Sequence, residues 1–295
     1  MTLWLTGSIT ALITPMKKDG SLDIKRYEEL VDWQIREGSS ALVPVGTTGE
    51  SPTLTQEEHK QIVEIAIKVT NKRVPILAGA GSNSTQETIE KVSFAKKIGA
   101  DAALVVTPYY NKPTQEGLYQ HYNLIANKTE FPIYIYNIPG RSVIDMSVET
   151  MARLAENPYI IGVKDATADL QRPIKVRRAV KKPFNQLSGE DGTAVSFLAA
   201  GGDGCISVTA NIAPRLCAEM QNAWKEGSVA RAIALQDKLT ILHDAMFCEA
   251  NPIPVKYAAS LLGLAGEMCR LPLTPLSEKS RIEVRHALEE VGLLD

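Results

Sequence analysis

The sequence runs to 295 residues, with 32 Lys and Arg against 34 Asp and Glu for a net charge of −2, and 44% of its side chains are hydrophobic. A near-neutral chain with four histidines and no long basic run gives nucleic acid or an anionic membrane nothing to hold, which leaves small molecules and protein partners. At roughly 100–200 residues per domain the length suggests two domains, and it also allows one large α/β domain with an appendage.

The first residues, Met1–Met16, are uncharged, but Gly7, Pro15 and several threonines interrupt them, and Lys17 and Lys18 follow rather than precede them. This segment reads as a first strand rather than a signal peptide or a membrane span, and the protein is expected in the cytoplasm. Short β-branched apolar runs then recur at Ile9–Thr14, Ala41–Gly46, Val74–Gly79, Ala102–Thr107, Pro132–Asn137, Ile160–Lys164, Asn185–Gly189 and Gly204–Thr209. Between them lie longer amphipathic stretches. One carries Ile62, Ile65, Ala66 and Val69, the stripe of a helix that packs one face on a sheet. Thr55 with Glu58 fits a capping box ahead of that helix, and Ser84 with Glu87 repeats the device ahead of the next. Strands apolar on both faces and alternating with helices imply a parallel sheet with right-handed crossovers, and eight such units point to a (β/α)8 barrel.

Past Gly227 the strand signals stop, and Ala230–Phe247, Pro254–Leu262 and Glu278–Val291 read as helices. The expected organisation is therefore a catalytic barrel over residues 1–227 and a helical extension over 228–295. Cys205, Cys217, Cys248 and Cys269 include no C-x-x-C pair and are read as buried free thiols of a reducing compartment.

A barrel carries its chemistry at the C-terminal ends of its strands. Lys164 stands out there, because it interrupts Ile160-Ile161-Gly162-Val163 where a buried strand should continue. An amine with the ordinary lysine pKa of about 10.4 is almost wholly protonated at pH 7, and burial is what makes it nucleophilic. The plainer reading is a lysine that snorkels to solvent from the strand end. Asp165 alternates to the other face and is not expected to be its ion partner. Gly46-Thr47-Thr48-Gly49 could present N–H groups to a carboxylate or phosphate, or be an ordinary turn. Tyr134 and Tyr136 share a strand face and could relay protons or simply pack. Arg141 could clamp a carboxylate or make a surface ion pair. His59, His121, His243 and His286 all fall on expected helices with no H-x-x-x-H pair, against a zinc site. There is no G-x-S-x-G, P-loop or G-x-G-x-x-G either. A central lysine, two or three phenols and an anion-binding turn fit carbonyl chemistry through a Schiff base.

Several motifs together carry a resemblance: G-T-T-G-E-S at Gly46–Ser51, T-P-Y-Y-N-K-P-T-Q-E-G-L at Thr107–Leu118, Y-N-I-P-G-R at Tyr136–Arg141, I-G-V-K at Ile161–Lys164, S-V-T-A-N at Ser207–Asn211, N-P-I-P-V-K at Asn251–Lys256 and R-L-P-L-T-P at Arg270–Pro275. The chain resembles, nearly end to end, the dihydrodipicolinate synthase/N-acetylneuraminate lyase family of Schiff-base barrels. The resemblance implies that Lys164 forms an imine with pyruvate, whose carboxylate rests on the N–H groups of Thr47 and Thr48. The derived enamine would attack L-aspartate 4-semialdehyde, on the route to diaminopimelate and lysine. Thr47, Tyr136 and Tyr110 would relay protons, with Tyr110 reaching in from a neighbouring subunit. Arg141 would hold the second substrate's carboxylate, and Gly189 and Ile206 would line the pyruvate pocket. No metal or organic cofactor is implied. A homotetramer built from two tight dimers is, with Tyr109 at the dimer interface.

Feedback inhibition by lysine is implied at Ser51, Leu54, His59, Asn83, Glu87 and Tyr109. Pro52 stands where alanine is usual, and Gln56 where inhibited members have histidine; Asp165 replaces a common glutamate and Glu190 a common aspartate. The alternative within the fold is another pyruvate-dependent aldolase, acting on N-acetylneuraminate or a 2-keto-3-deoxy sugar acid; Tyr109-Tyr110 and the N-K-P-T-Q-E-G-L continuation argue against it. A barrel that only binds a keto acid or a partner should have lost the lysine, the phenols or the turn, and none is lost.

Overall fold

The computed structural model describes residues 3–294. Each expected apolar run overlaps a strand: β1 (Gly7–Ala11), β2 (Ala41–Val43), β3 (Leu77–Gly79), β4 (Ala102–Val106), β5 (Ile133–Asn137), β6 (Ile160–Asp165), β7 (Asn185–Ser188) and β8 (Gly204–Ser207). They form one eight-stranded sheet in the order β2-β1-β8-β7-β6-β5-β4-β3 with parallel register, the sheet of a (β/α)8 barrel. Two strands, β2 and β3, are only half as long as their runs. β2 stops at Val43 because Pro44 has no N–H to give and Val45 turns left-handed at φ 50. β3 starts only at Leu77, since Pro75 has no donor and the Ile76 N–H goes to Asp101 Oδ2 at 2.8 Å.

The helices are α1 (Ile24–Arg36), α2 (Gln56–Thr70), α3 (Thr85–Ile98), α4 (Gln115–Thr129), α5 (Pro139–Ser142), α6 (Val148–Ala155), α7 (Arg172–Ala179), α8 (Ala194–Ala199), α9 (Pro214–Lys225), α10 (Val229–Ala245), α11 (Ile253–Leu261) and α12 (Glu278–Val291). The capping box at Thr55 and Glu58 is complete. At α3 only half of it forms: Ser84 accepts from the Glu87 N–H, but the Glu87 carboxylate turns away to accept from the Ser82 hydroxyl. No helix among the described residues is long and apolar enough to cross a membrane.

Two compact units emerge. One comprises residues 3–6 and 76–206. Asn185, fully buried on β7, is a hub of this unit: its Oδ1 accepts from the Leu5 N–H at 2.9 Å and the Tyr134 hydroxyl at 2.6 Å, and its Nδ2 donates to Leu5 O and Asp203 Oδ2. All four hydrogen-bonding valences of the amide are used, as burial demands. The other unit comprises residues 7–75 and 207–294. There Gln34, buried on α1, joins the Thr10 and Ser39 hydroxyls to Ala210 O, and Asn211 bridges Ala11 O and the Ile13 N–H. All four thiols are free; Cys205, Cys217 and Cys269 are buried as expected, whereas Cys248, in the turn after α10, is only half-buried.

His121 supplies a test of the first unit. It is buried on α4 with Nδ1 2.9 Å from Thr85 Oγ1, its Nε2 has no partner among the described residues, and burial pulls its pKa down to about 4. The unfolded chain takes up a proton near pH 6.5 that the folded chain refuses until about pH 4. This contribution to stability is therefore complete above pH 6.5 and is lost as pH falls through that window, by about 1.4 kcal/mol per pH unit. In urea unfolding at pH 7 and pH 5, His121→Gln should lose less stability between the two than the wild type does. Equal losses would assign the acid sensitivity to other groups.

Candidate active site

Every residue of β6 is buried, and Lys164, with 6% of its surface exposed, lies one residue from the end of that strand. The strand register sets it beside Tyr136 on β5 and Leu187 on β7. Its Nζ lies 4.2 Å from the centroid of the Tyr136 ring, close enough for the π-face to compensate a desolvated ammonium. The plain snorkelling alternative does not survive this burial. Tyr134, two residues earlier, is spent on Asn185, so the two phenols of β5 divide into a structural one and one that faces the amine.

Space beside the amine depends on Gly189. A Cβ there would stand 2.7 Å from Ala166 Cβ and 3.1 Å from both Asp165 O and Lys164 Cε. The Gly189 N–H also donates to Asp165 O at 2.6 Å, which holds the chain in this close approach. Ile206, buried on β8, belongs to the same unit.

Asp165 points away from Lys164, as alternation requires. Its Oδ2 lies 3.1 Å from Arg172 Nε and its Oδ1 accepts from Thr167. Burial still pushes its pKa up, against the pull of Thr167 and Arg172. Burial also raises the pKa of Glu190, and the Lys164 ammonium opposes that rise. Arg172 continues from Asp165 to Asp145 and to the Met146 carbonyl, while Asn137 at the end of β5 donates to Asp145 Oδ1 and accepts from the Met146 N–H. The loop bearing Arg141 is thereby tied at its far end to β5 and β6. Arg141 itself is exposed in the short helix α5.

Tyr109 is 38% exposed, and Tyr110, left-handed at φ 71, is 90% exposed. Asn83 is half-buried and its carbonyl accepts from Asn111 Nδ2, while Glu87 is exposed with its carboxylate engaged by Ser82.

The turn that follows β2 lies in the other unit. It runs between two left-handed non-glycine residues, Val45 at φ 50 and Glu50 at φ 57. Such conformations cost on the order of 1–3 kcal/mol each and persist only where their surroundings impose them. The N–H groups of Gly49, Glu50 and Ser51 close onto Gly46 O and Thr47 O. Those of Thr47 and Thr48 have no acceptor among the described residues, which leaves two adjacent donors for an anion. Thr47 is half-buried and Thr48 buried; Ser51 and Leu54 are half-buried and His59 is buried on α2.

The sequence assigned no role to Arg172, Asn251 or the Glu50–Lys256 pair, and marked Glu190 only as a departure from the family pattern. A signal did exist for Lys256, a lone charge in the apolar run from Ile253 to Ala259. Arg172 carried none, because its acceptors lie 7, 26 and 27 residues away. Among the described residues no group of three or more His, Cys, Asp or Glu is placed to hold a metal ion.

Gly189→Ala should fold yet slow any covalent capture at Lys164 by about 10- to 100-fold, since the added methyl displaces the amine or the strand that carries it. Capture by a carbonyl compound, read by borohydride reduction and mass spectrometry, measures this; an unchanged rate would show that the space beside Cε is not needed.

The model of the dihydrodipicolinate synthetase family matches residues 4–291. The chain is 66% identical over 295 residues to the 4-hydroxy-tetrahydrodipicolinate synthase of Gluconacetobacter diazotrophicus, covering 100% of this chain and 99% of the relative. Among solved structures it is similar to the chloride-inhibited dihydrodipicolinate synthase of Acinetobacter baumannii complexed with pyruvate, with a TM-score of 0.96, 50% identity and coverage of 98% and 99% of the two chains. The lysine-bound enzyme of Cyanidioschyzon merolae superposes with a TM-score of 0.95 at 38% identity, over 98% and 99% of the chains. A buried strand lysine against a tyrosine ring, on this barrel and with matches spanning the whole sequence, leads to one conclusion: the chain belongs to the dihydrodipicolinate synthetase family.

Proposed function

We propose that this protein condenses pyruvate with L-aspartate 4-semialdehyde through a Schiff base on Lys164, the first ring-forming step toward diaminopimelate and lysine. The observation that carries this reading is the Lys164 amine, 6% exposed on a strand buried along its whole length, facing the Tyr136 ring at 4.2 Å. Lys164 Nζ adds to C2 of pyruvate and water leaves, giving an imine. Loss of a methyl proton gives the enamine, whose terminal carbon attacks the aldehyde carbon of the second substrate. The substrate's own amine then adds to the imine carbon, closes the ring and releases Nζ. The imine serves as the electron sink that another enzyme would take from pyridoxal phosphate, so the chemistry needs no cofactor.

In this reading Tyr136, Thr47 and Tyr110 pass the protons. The free N–H groups of Thr47 and Thr48 support a role for them in binding the pyruvate carboxylate. Arg141 receives the carboxylate of the semialdehyde, and Gly189 and Ile206 shape the pyruvate pocket. The exposure of Tyr110 supports its acting in a neighbouring subunit of a homotetramer. Residues 1–227 are then the catalytic barrel and 228–295 its helical extension. Lysine is the feedback inhibitor, bound by Ser51, Leu54, His59, Asn83, Glu87 and Tyr109; the lysine-bound relative supports this. The free thiols fit a cytoplasmic enzyme.

Borohydride reduction with pyruvate should leave a pyruvyl adduct on Lys164, and added aspartate semialdehyde should drain it. Lys164→Ala should give no adduct and lose turnover by more than about 10³-fold while remaining folded. An adduct that the semialdehyde cannot drain would assign the enzyme to sugar-acid cleavage, and a Lys164→Ala variant with wild-type turnover would remove the Schiff base.

A further inference from the structure

We infer that Glu50, Lys256 and Asn251 are positioning residues for pyruvate, holding from the C-terminal helices the turn whose Thr47 and Thr48 N–H groups receive its carboxylate. The inference rests on the assignment of that turn to the pyruvate carboxylate.

All the contacts lie within the unit formed by residues 7–75 and 207–294. Lys256 on α11 is fully buried, and its Nζ donates to Glu50 Oε1 at 2.6 Å. The other oxygen, Glu50 Oε2, accepts the Arg270 N–H at 2.9 Å. The Arg270 side chain in turn joins Gly20 O, Thr53 O and the Glu58 carboxylate. Asn251 Nδ2 donates to Thr48 Oγ1 at 3.0 Å, and Thr14 Oγ1 donates to Gly49 O at 2.7 Å. The turn is thus gripped at Thr48, Gly49 and Glu50, while the two N–H groups between Gly46 and Gly49 stay unspent.

Three physical arguments separate this from mere scaffolding. A buried ion pair stabilises a fold poorly compared with apolar side chains of the same volume, so stability alone does not account for one here. Glu50 also takes a left-handed conformation that glycine or asparagine would adopt more readily, at a residue whose carboxylate does the holding. The charges matter in their own right. Glu50 stands two residues from Thr48, where an uncompensated carboxylate would repel the substrate's, and Lys256 cancels it.

The test uses the full-length enzyme, with melting temperature, steady-state kinetics and borohydride trapping with pyruvate or its neutral amide, pyruvamide. Glu50→Gln/Lys256→Met removes both charges and leaves neither unpaired. It should fold, raise the KM for pyruvate about tenfold, leave the KM for the semialdehyde within about twofold, and shrink the preference for pyruvate over pyruvamide. Lys256→Met alone should raise the pyruvate KM further, because the Glu50 charge remains. A folded double variant with wild-type pyruvate KM and wild-type preference would overturn the inference. If neither variant folds, Asn251→Ala, which removes the bond to Thr48 Oγ1, decides in the same way: a raised pyruvate KM sustains the inference and an unchanged one overturns it. A wild-type enzyme that traps pyruvate and pyruvamide equally well would instead show that the turn does not read the carboxylate, and the underlying assignment would fail.

Discussion

The structure turns on one constraint, an amine kept on a strand that is otherwise sealed from water. A strand buried on both faces tolerates a lysine only if the neighbours at its register position compensate the ammonium and leave its stem room. Tyr136 supplies the π-face at 4.2 Å, and Gly189 supplies the room by lacking a Cβ. Tyr136 lies on β5 and Gly189 directly follows β7, the two strands adjacent to β6, so the parallel register that builds the barrel also assembles this part of the site. Glycine at 189 is therefore a packing requirement of Lys164 rather than a matter of backbone freedom.

The same strand carries Asp165 to the opposite face, where it serves a different end. Arg172 takes Asp165, Asp145 and the Met146 carbonyl together, and Asn137 repeats the link from β5. The loop that presents Arg141 is thus referenced to the two strands that carry Tyr136 and Lys164. One strand end supplies an inward amine and an outward anchor in consecutive residues, a direct use of the period of two.

The barrel was legible because its signals are periodic and local. Apolar runs, helix stripes and the Thr55–Glu58 cap are written in neighbouring residues, and Lys164 announced itself by breaking such a run. Strand ends were less legible: Pro44 and Pro75 withdraw donors from the ladder where the apolar pattern continues. The Ser84–Glu87 motif misled because Ser82, two residues earlier, competes for the Glu87 carboxylate. What lay beyond reach was long-range. Glu50 and Lys256 are 206 residues apart in sequence, and nothing near either one names the other. Charged residues inside apolar runs are nonetheless a readable class, and Lys164 and Lys256 are both members of it.

Those two lysines also show how burial alone fails to identify a reactive amine. Lys256 is the more buried, yet its Nζ is held at 2.6 Å by a carboxylate that satisfies its charge, whereas the groups found near Lys164 Nζ are an aromatic face and a more distant carboxyl. A lysine locked in an ion pair is held in place by its partner, whereas Lys164 Nζ, with no carboxylate within ion-pair distance among the described residues, is left open to a carbonyl carbon. The departures at Asp165 and Glu190 fit this division. The shorter side chain at 165 still reaches Arg172, and the longer one at 190 keeps a carboxyl within electrostatic reach of Lys164. In this chain, then, one anchor faces away from the amine and one acidic group lies near it.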